Sequence, residues 1–395
     1  MPRTLITHAT VVLADRLLER QTVAIAGGKI ESVGPDAEFT PRPDDDIVDA
    51  AGQYLAPGFI DVHTHGLHTF RLGEGGPDAL RGMCEALPQY GVTGFLPTIG
   101  GKPGGKEAEY LKSLAACETT GAGILGFHFE GPFLTLTGAG SGEAISGGDF
   151  ERVSRIHEAA GDAPVTFSIA PDLDGILDLI PKMREKGPVF ITHTAADVAQ
   201  TQRAIEAGAR HATHFYDVFP CPPVRDGGVR PCGAVEAILA DDRATVDFIL
   251  DGEHVDPIAV KMALRCKGPG GVSLITDAQI GSGFPPGRHR LGNREVEFKY
   301  PGGPARMTEN SRAPGGLCGS GLTMALAVRN ALKMLSVELP QAVRMASLNP
   351  AAVLGLDDRK GRIAEGFDAD MVLFDGDVAI ARTWVAGETV FVTQA

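Results

Sequence analysis

The run Pro57-Gly58-Phe59-Ile60-Asp61-Val62-His63-Thr64-His65-Gly66 ends an apolar, strand-like stretch on a His-x-His pair. Successive side chains of a β-strand alternate faces, so His63 and His65 point the same way and can share one ion. Neutral imidazoles bind divalent transition metals, and two on a rigid strand form half a site. A pair of surface histidines beside a turn would read the same, so the rest of the chain must supply the other ligands. Residues at or near the ends of other short apolar runs do so: Glu130 in Gly126-Phe127-His128-Phe129-Glu130-Gly131-Pro132, His193 after Val189-Phe190-Ile191-Thr192, His214 after Ala212-Thr213, and Asp277 after Val272-Ser273-Leu274-Ile275-Thr276. The separations are 67 (63 to 130), 63 (130 to 193), 21 (193 to 214) and 63 (214 to 277). A (β/α)₈ barrel spends about 30 residues per βα unit, so the gaps read as two units, two, one and two. The five positions then fall on barrel strands 1, 3, 5, 6 and 8, whose C-terminal ends converge on the mouth where active sites of this fold lie. The first functional reading is a metal-dependent hydrolase.

The elements that must hold these residues follow an α/β pattern. Helix-like segments alternate with apolar runs, as in Gly75 to Tyr90 before Thr93 to Thr98, and Asp197 to Ala209 before His211 to His214. Both ends of the sequence read differently. Leu5 to Leu13, Gln21 to Ala26 and Lys29 to Val33 look like strands joined by turns, and so do Ala369 to Asp375, Ala379 to Val385 and Glu388 to Val392. The expected architecture is a (β/α)₈ TIM barrel over residues 55–363, with a small β-sandwich domain built from both termini, residues 1–54 and 364–395. Residues 280 to 316, rich in Gly and Pro, should form a long loop or hairpin over the site. Trp384, the only tryptophan, should pack among the terminal strands.

Composition restricts the function classes. With 395 residues, 43% hydrophobic and 22% charged, the chain can bury a large core. A formal charge of −14 offers no basic surface for nucleic acid or anionic membrane, so an anionic substrate would need a local positive pocket. The six cysteines are scattered without a C-x-x-C pair, against both a zinc–thiolate site and a disulfide framework. Neither a signal-peptide core nor a membrane span is visible, and a cytoplasmic location is expected. The glycine-rich stretch Gly100 to Gly105 does not form a G-x-x-x-x-G-K-[ST] loop, which leaves nucleotide binding without support.

These residues carry a resemblance. The Pro57 to Gly66 run, the His193 and His214 strands, Thr276-Asp277-Ala278 and Lys360 to Asp370 resemble the amidohydrolase superfamily. More narrowly, His128-Phe129-Glu130-Gly131-Pro132-Phe133, Ala212-Thr213-His214-Phe215-Tyr216, Asp251-Gly252-Glu253-His254-Val255-Asp256, Gly319 to Met324 and Ser347 to Ala351 resemble the N-acetylglucosamine-6-phosphate deacetylases. The resemblance implies that Glu130, His193 and His214 hold the principal metal, and that His63 and His65 serve a second ion bridged by Glu130. The cofactor is then one or two divalent ions, zinc first, with iron, manganese or cobalt also suited to such ligands. A divalent ion acidifies water and polarises an amide carbonyl, and Asp277 would take the water's proton and pass it to the leaving amine. The products would be acetate and an amino sugar phosphate. The same resemblance places Arg225 and His254 on the substrate phosphate, across the interface of a homodimer.

Two departures bear on the substrate. After Phe133 the family continues with a basic stretch ending in a Gly-small-His element, whereas this chain reads Leu134-Thr135-Leu136-Thr137-Gly138-Ala139-Gly140-Ser141-Gly142-Glu143-Ala144. Where the family favours Asn-Ala, this chain has Asp217-Val218, a like charge beside the expected phosphate. Another N-acyl sugar or an N-acyl amino acid is therefore an alternative substrate. A cyclic-amide hydrolase would bring a carboxylated Lys as bridging ligand, and no Lys occupies a matching position. A scaffold that had lost its chemistry would have lost ligands, whereas all six are present. His128 shares a face with Glu130 and reads equally as a support for the metal site or as a satisfied core residue. His8, His68, His157, His211 and His289 read as structural, loop or surface residues.

Overall fold

The computed structural model describes residues 3–138, 142–224, 226–311 and 313–393. Apolar runs, most of them preceded by Gly or Pro, form eight parallel strands: Phe59–Thr64, Val92–Gly100, Phe127–Glu130, Val165–Ile169, Val189–Ile191, His211–Ala212, Thr245–Ile249 and Val272–Ile275. Each hydrogen-bonds the next in chain order. The candidate ligands stand on or just beyond the first, third, fifth, sixth and eighth, as the spacing predicts.

The ring closes between the eighth strand and the first. The Asp277 N–H donates to the His63 carbonyl at 2.9 Å. The buried Asp61 carboxylate takes over from missing ladder bonds, accepting the N–H groups of His63 and Thr276 (both 3.3 Å) and the Thr276 hydroxyl (2.6 Å). Asp61 shares a face with His63, so the side chain that stitches the ring also fixes the strand bearing the first candidate ligands.

Helices cover the outside. Ile176–Met183 buries Ile176, Leu179, Ile180 and Met183, the i, i+3, i+4, i+7 stripe of a surface helix. Val198–Ala207 starts on a capping box in which Asp197 and Gln200 satisfy each other's backbone N–H. Within, Leu96, Phe190, Ile249 and Ile275 join one cluster from strands spread around the ring.

The small β-domain is an eight-stranded sheet. Thr4–Val12 pairs with Leu17–Ala26, Asp46–Asp49 and Tyr54–Pro57, and Tyr54–Pro57 pairs with Met371–Phe374 from the far end of the sequence. Trp384, 1% exposed, packs in its core with Ile6, Val23, Leu55 and Met371. Because the chain has no other tryptophan, its fluorescence reports this sheet and not the barrel.

Asp368 pins the sheet to the segment that follows the barrel. Its carboxylate meets Lys29 Nζ at 2.5 Å, Arg359 Nη2 at 2.8 Å and Lys360 Nζ at 2.9 Å. Burial alone would raise its pKa, but these three cations hold the carboxyl well below the usual carboxylate range. A depressed pKa gives stability that is present above the unfolded value, near 4, and is lost as pH falls toward the folded one. Asp368→Asn is expected to cost about 1 kcal/mol at pH 7, the low end for a charged hydrogen-bonded site because Lys29 and Arg359 are half exposed. It should also flatten the loss of stability below pH 4. Denaturant melts at pH 7 and pH 3 check this; an Asn variant as acid-labile as the parent would refute it.

Residues 280–316, expected as a long loop or hairpin, contain the hairpin Gly287–Leu291/Arg294–Phe298 and go beyond it. The whole is a four-stranded antiparallel sheet, Gly287–Leu291, Arg294–Phe298, Pro304–Met307 and Leu317–Ser320. It has its own core of Leu291, Val296, Phe298, Ala305 and Met307. Alternating burial in Arg294–Phe298 shows why: Val296 and Phe298 face that core while their neighbours remain partly exposed. Tyr300 and Arg306 of this flap both bind Glu253, in the loop after the seventh strand. Among the described residues, no helix is long and apolar enough to cross a membrane.

Candidate metal centre

Glu130, at the end of the third strand, is the hub. Its Oε1 lies 3.1 Å from His193 Nε2, 3.0 Å from His214 Nε2 and 3.8 Å from His63 Nε2, and its Oε2 lies 3.2 Å from His65 Nε2. Asp277 Oδ1 lies 3.4 Å from His63 Nε2 and 3.3 Å from His65 Nε2. All six positions therefore converge at the mouth, and two triads, His63–Glu130–His214 and His63–His65–Asp277, have ligand atoms within 4.8 Å of one another.

The backbone is bent to achieve this. His193, His214 and Asp277 have φ of 46°, 34° and 45°, the left-handed region that non-glycine residues rarely adopt. Each lies two residues beyond a strand end, where a single left-handed residue turns the side chain inward instead of onward along the strand. Strain of this kind costs on the order of 1–3 kcal/mol per residue and persists only where surrounding bonds impose it. Those bonds are visible. Asp247 on the seventh strand accepts the His214 N–H at 2.6 Å, the Thr213 hydroxyl at 3.0 Å and His211 Nε2 at 2.8 Å. Asp172 accepts the hydroxyls of Thr135 and Thr194, fastening the loop after the third strand to the residue that follows His193. The Ser320 N–H donates to the Asp277 carbonyl at 2.8 Å.

Electrostatics tests whether the donor set suits a cation. Burial works against ionising Glu130, yet hydrogen bonds from His193, His214 and His65 hold its pKa well below the usual value. Burial should likewise depress His214, but Glu130 pushes it up to about 10. His65 is raised for the same reason, with Asp277 contributing. Protons are thus held where a cation would compensate the two carboxylates. Both ring nitrogens of His63, Nδ1 of His193 and Oδ1 of Asp277 are buried without a hydrogen-bond partner. Buried orphans of this kind are rare, and imidazole and carboxylate donors aimed at one point fit a divalent ion of the zinc, iron, manganese or cobalt type.

His128, a support or core candidate from sequence, is fully buried and satisfied, with Nδ1 on the Val62 carbonyl (3.0 Å) and Nε2 on Ser168 Oγ (2.7 Å). Burial lowers its pKa far below the ordinary histidine value, so it is a neutral wall behind His63. His68 stacks on Phe284 of the flap segment at 4.7 Å. The His254 side chain is 1% exposed, with Nδ1 2.6 Å from Asp251 and Nε2 buried without a partner among the described residues. Burial would lower its pKa, but Asp251 raises it, and Asp217 and Asp277 add to the effect. Arg225 and residues 139–141 of the divergent loop lie outside the described residues.

Asp61, Asp247 and Asp172 were not singled out from sequence. A signal existed for the first two: each is a lone carboxylate inside an otherwise apolar strand, a placement that demands buried partners. Asp172 lies in a loop and gives no such signal.

The comparisons agree with this geometry. A model of the amidohydrolase family matches residues 271–390. N-acetylglucosamine-6-phosphate deacetylase of Bacillus subtilis (strain 168) is 30% identical, covering 99% of this chain and 98% of the relative. N-acetylgalactosamine-6-phosphate deacetylase of Escherichia coli O157:H7 is 31% identical over 97% and 99%. Among solved structures, an aspartate-to-alanine mutant of N-acetyl-D-glucosamine-6-phosphate deacetylase from Mycobacterium smegmatis, in complex with N-acetyl-D-glucosamine-6-phosphate, superposes with a TM-score of 0.86 at 29% identity over 100% of both chains.

Proposed function

Since this chain belongs to the N-acetylglucosamine-6-phosphate deacetylase family of amidohydrolases, we propose that it hydrolyses the acetamide of an N-acetyl amino sugar 6-phosphate, N-acetylglucosamine 6-phosphate first, releasing acetate and the amino sugar phosphate. The observation that carries this reading is the hub at Glu130, on which histidines from three barrel strands converge. Glu130, His193 and His214 would hold the principal ion, and His63 and His65, with Glu130, a second. Zinc is the proposed metal. A divalent ion there would supply Lewis acidity toward the amide carbonyl and acidify a water molecule.

The chain's own residues do the rest. Asp277 accepts a proton from the attacking water and returns it to the leaving nitrogen, for which a buried carboxylate with one orphaned oxygen is placed. The strand Leu317–Ser320 holds the Asp277 carbonyl through the Ser320 N–H, and His128 backs the His63 ring, so both candidate groups are fixed in place. The catalytic unit is the barrel, residues 55–363, with residues 1–54 and 364–395 forming the small domain. His254 presents its free Nε2 to the substrate phosphate, and Arg225 joins it, in the site of a second copy of the chain in a homodimer.

Acetate release from N-acetylglucosamine 6-phosphate by the zinc-loaded protein tests the reading, run beside the galactosamine isomer, the unphosphorylated sugars and N-acyl amino acids. A kcat/KM above about 10⁴ M⁻¹s⁻¹ on the phosphorylated sugar would support it. Turnover of N-acyl amino acids alone would move the substrate and keep the centre. His254→Gln should raise KM for the phosphorylated sugar roughly 10- to 100-fold, the worth of one hydrogen bond to a charged group, with kcat within a few fold. An equal loss on the unphosphorylated sugar would remove His254 from the phosphate.

A further inference from the structure

The flap is fastened to the barrel on two sides. Its last strand reaches the eighth barrel strand: the Ser320 N–H donates to the Asp277 carbonyl at 2.8 Å, the Gln279 N–H donates to the Ser320 carbonyl at 3.0 Å, and the Ser320 hydroxyl donates to the Thr276 carbonyl. Its other side reaches the loop after the seventh strand, where the Tyr300 hydroxyl and Arg306 Nη2 both donate to the Glu253 carboxylate. Arg306 is the register partner of Leu317. Its Nη1 also donates to the Gly315 carbonyl at 3.0 Å, which braces the segment leading into the strand that holds Asp277. From Glu253 to Asp277 the path is one side-chain contact and two adjacent strands.

Asp277 depends on that path. Its φ of 45° is strained, and one of the backbone bonds that impose it comes from the flap. The flap's strands are four or five residues long around a core of five buried side chains, and a unit of this size buries too little to be rigid alone. Glu253 is suited to anchor it. The N–H groups of Glu253 and His254 both donate to Asp251 Oδ1 at 2.9 Å, so the anchoring carboxylate stands on a pinned loop. Hydrogen bonds from Tyr300 and Arg306 hold its pKa below the usual value. Burial and Glu253 push the Tyr300 phenol up to about 12, so donor and acceptor keep their forms at neutral pH. We infer that Glu253 is a positioning residue: through Arg306 and the strand Leu317–Ser320 it sets the place of Asp277 from outside the metal centre. The inference rests on the deacetylase reading above only for the part Asp277 plays in the reaction.

Hydrogen exchange and kinetics on the zinc-loaded protein test it. The Glu253 and Arg306 side chains are each about a third exposed, and such a pair contributes little to global stability. Glu253→Gln should therefore leave the denaturation midpoint unchanged. Amide exchange in residues 317–320 and at Gln279 should quicken about tenfold, the ratio for losing one hydrogen bond to a charged group. kcat should fall about tenfold with KM within a few fold, inside the 10²-fold that an ångström of misplacement can cost. Arg306→Met should do the same, and Arg306→Lys should recover most of the rate. The double variant Glu253→Gln, Arg306→Met should be no worse than either single one, because residues on one path are not additive. Unchanged exchange at Ser320, or faster exchange with kcat at the parent's level, would overturn the inference. So would a loss confined to KM for the phosphorylated sugar, which would place the effect on His254. Quickened exchange in a protein whose parent hydrolyses none of the sugars keeps Glu253 as the anchor of Asp277 and rejects the deacetylase reading.

Discussion

Asp277→Asn is expected to lower kcat on the phosphorylated sugar by about 10³- to 10⁴-fold, the upper range for removing a positioned proton-transfer group. Asparagine matches the carboxylate in shape, and the backbone bonds that set its φ of 45°, the Asp277 N–H to His63 and the Ser320 N–H to the Asp277 carbonyl, do not involve the side chain. Folding should be preserved, and with it the ion proposed for Glu130, His193 and His214. What disappears is a buried carboxylate oxygen at the mouth, Oδ1, which has no hydrogen-bond partner among the described residues. The amide that replaces it can neither take a proton from water nor pass one to nitrogen. Steady-state kinetics with metal analysis and circular dichroism of the same sample decide the point. A kcat within tenfold of the parent would leave the proton-transfer role without a holder.

Glu130→Gln should empty the centre. The carboxylate accepts from His65, His193 and His214 at 3.0–3.2 Å, and its charge is what holds His214 up near 10 against the cost of burial. Glutamine keeps the volume but has no charge and only one acceptor oxygen for those histidines. Even residues that merely orient metal ligands typically cost 10- to 100-fold in metal affinity when changed, and the hub should cost more. Elemental analysis after dialysis should find metal at under about a tenth of the parent's content, and activity should fall by at least about 10³-fold. Full metal content in this variant would show that the four histidines and Asp277 suffice, and that Glu130 acts otherwise.

The pattern of residues revealed more of the site than of its supports. His63 and His65 are legible because strand alternation puts them on one face, and Glu130, His193, His214 and Asp277 because each closes an apolar run at a spacing that βα units repeat. Asp61 lay in plain sight on the His63 face, but only the closed ring shows that it bridges the first and eighth strands, 215 residues from Thr276. Asp172 and Asp247 act through Thr135, Thr194 and Thr213, and no local pattern predicts such long-range partners. For residues 280–316 the sequence supports a loop or a hairpin and no more, because the strands there are four or five residues long and separated by Gly and Pro. The segment becomes a sheet only through the small core of Leu291, Val296 and Phe298.

The pairing of Tyr54–Pro57 with Met371–Phe374 has a consequence for how the molecule is made. Leu55 and Leu373 are register partners, yet at 5–20 residues per second a ribosome needs roughly 15–60 s to travel from one to the other. Throughout that interval the nascent chain carries an unpartnered strand edge two residues ahead of Phe59, where the first barrel strand begins. A chain stalled after the eighth barrel strand would hold every candidate ligand from His63 to Asp277 and still expose that edge. Quality control that reads open strand edges would therefore engage this polypeptide after its chemistry is encoded and before its fold can be finished.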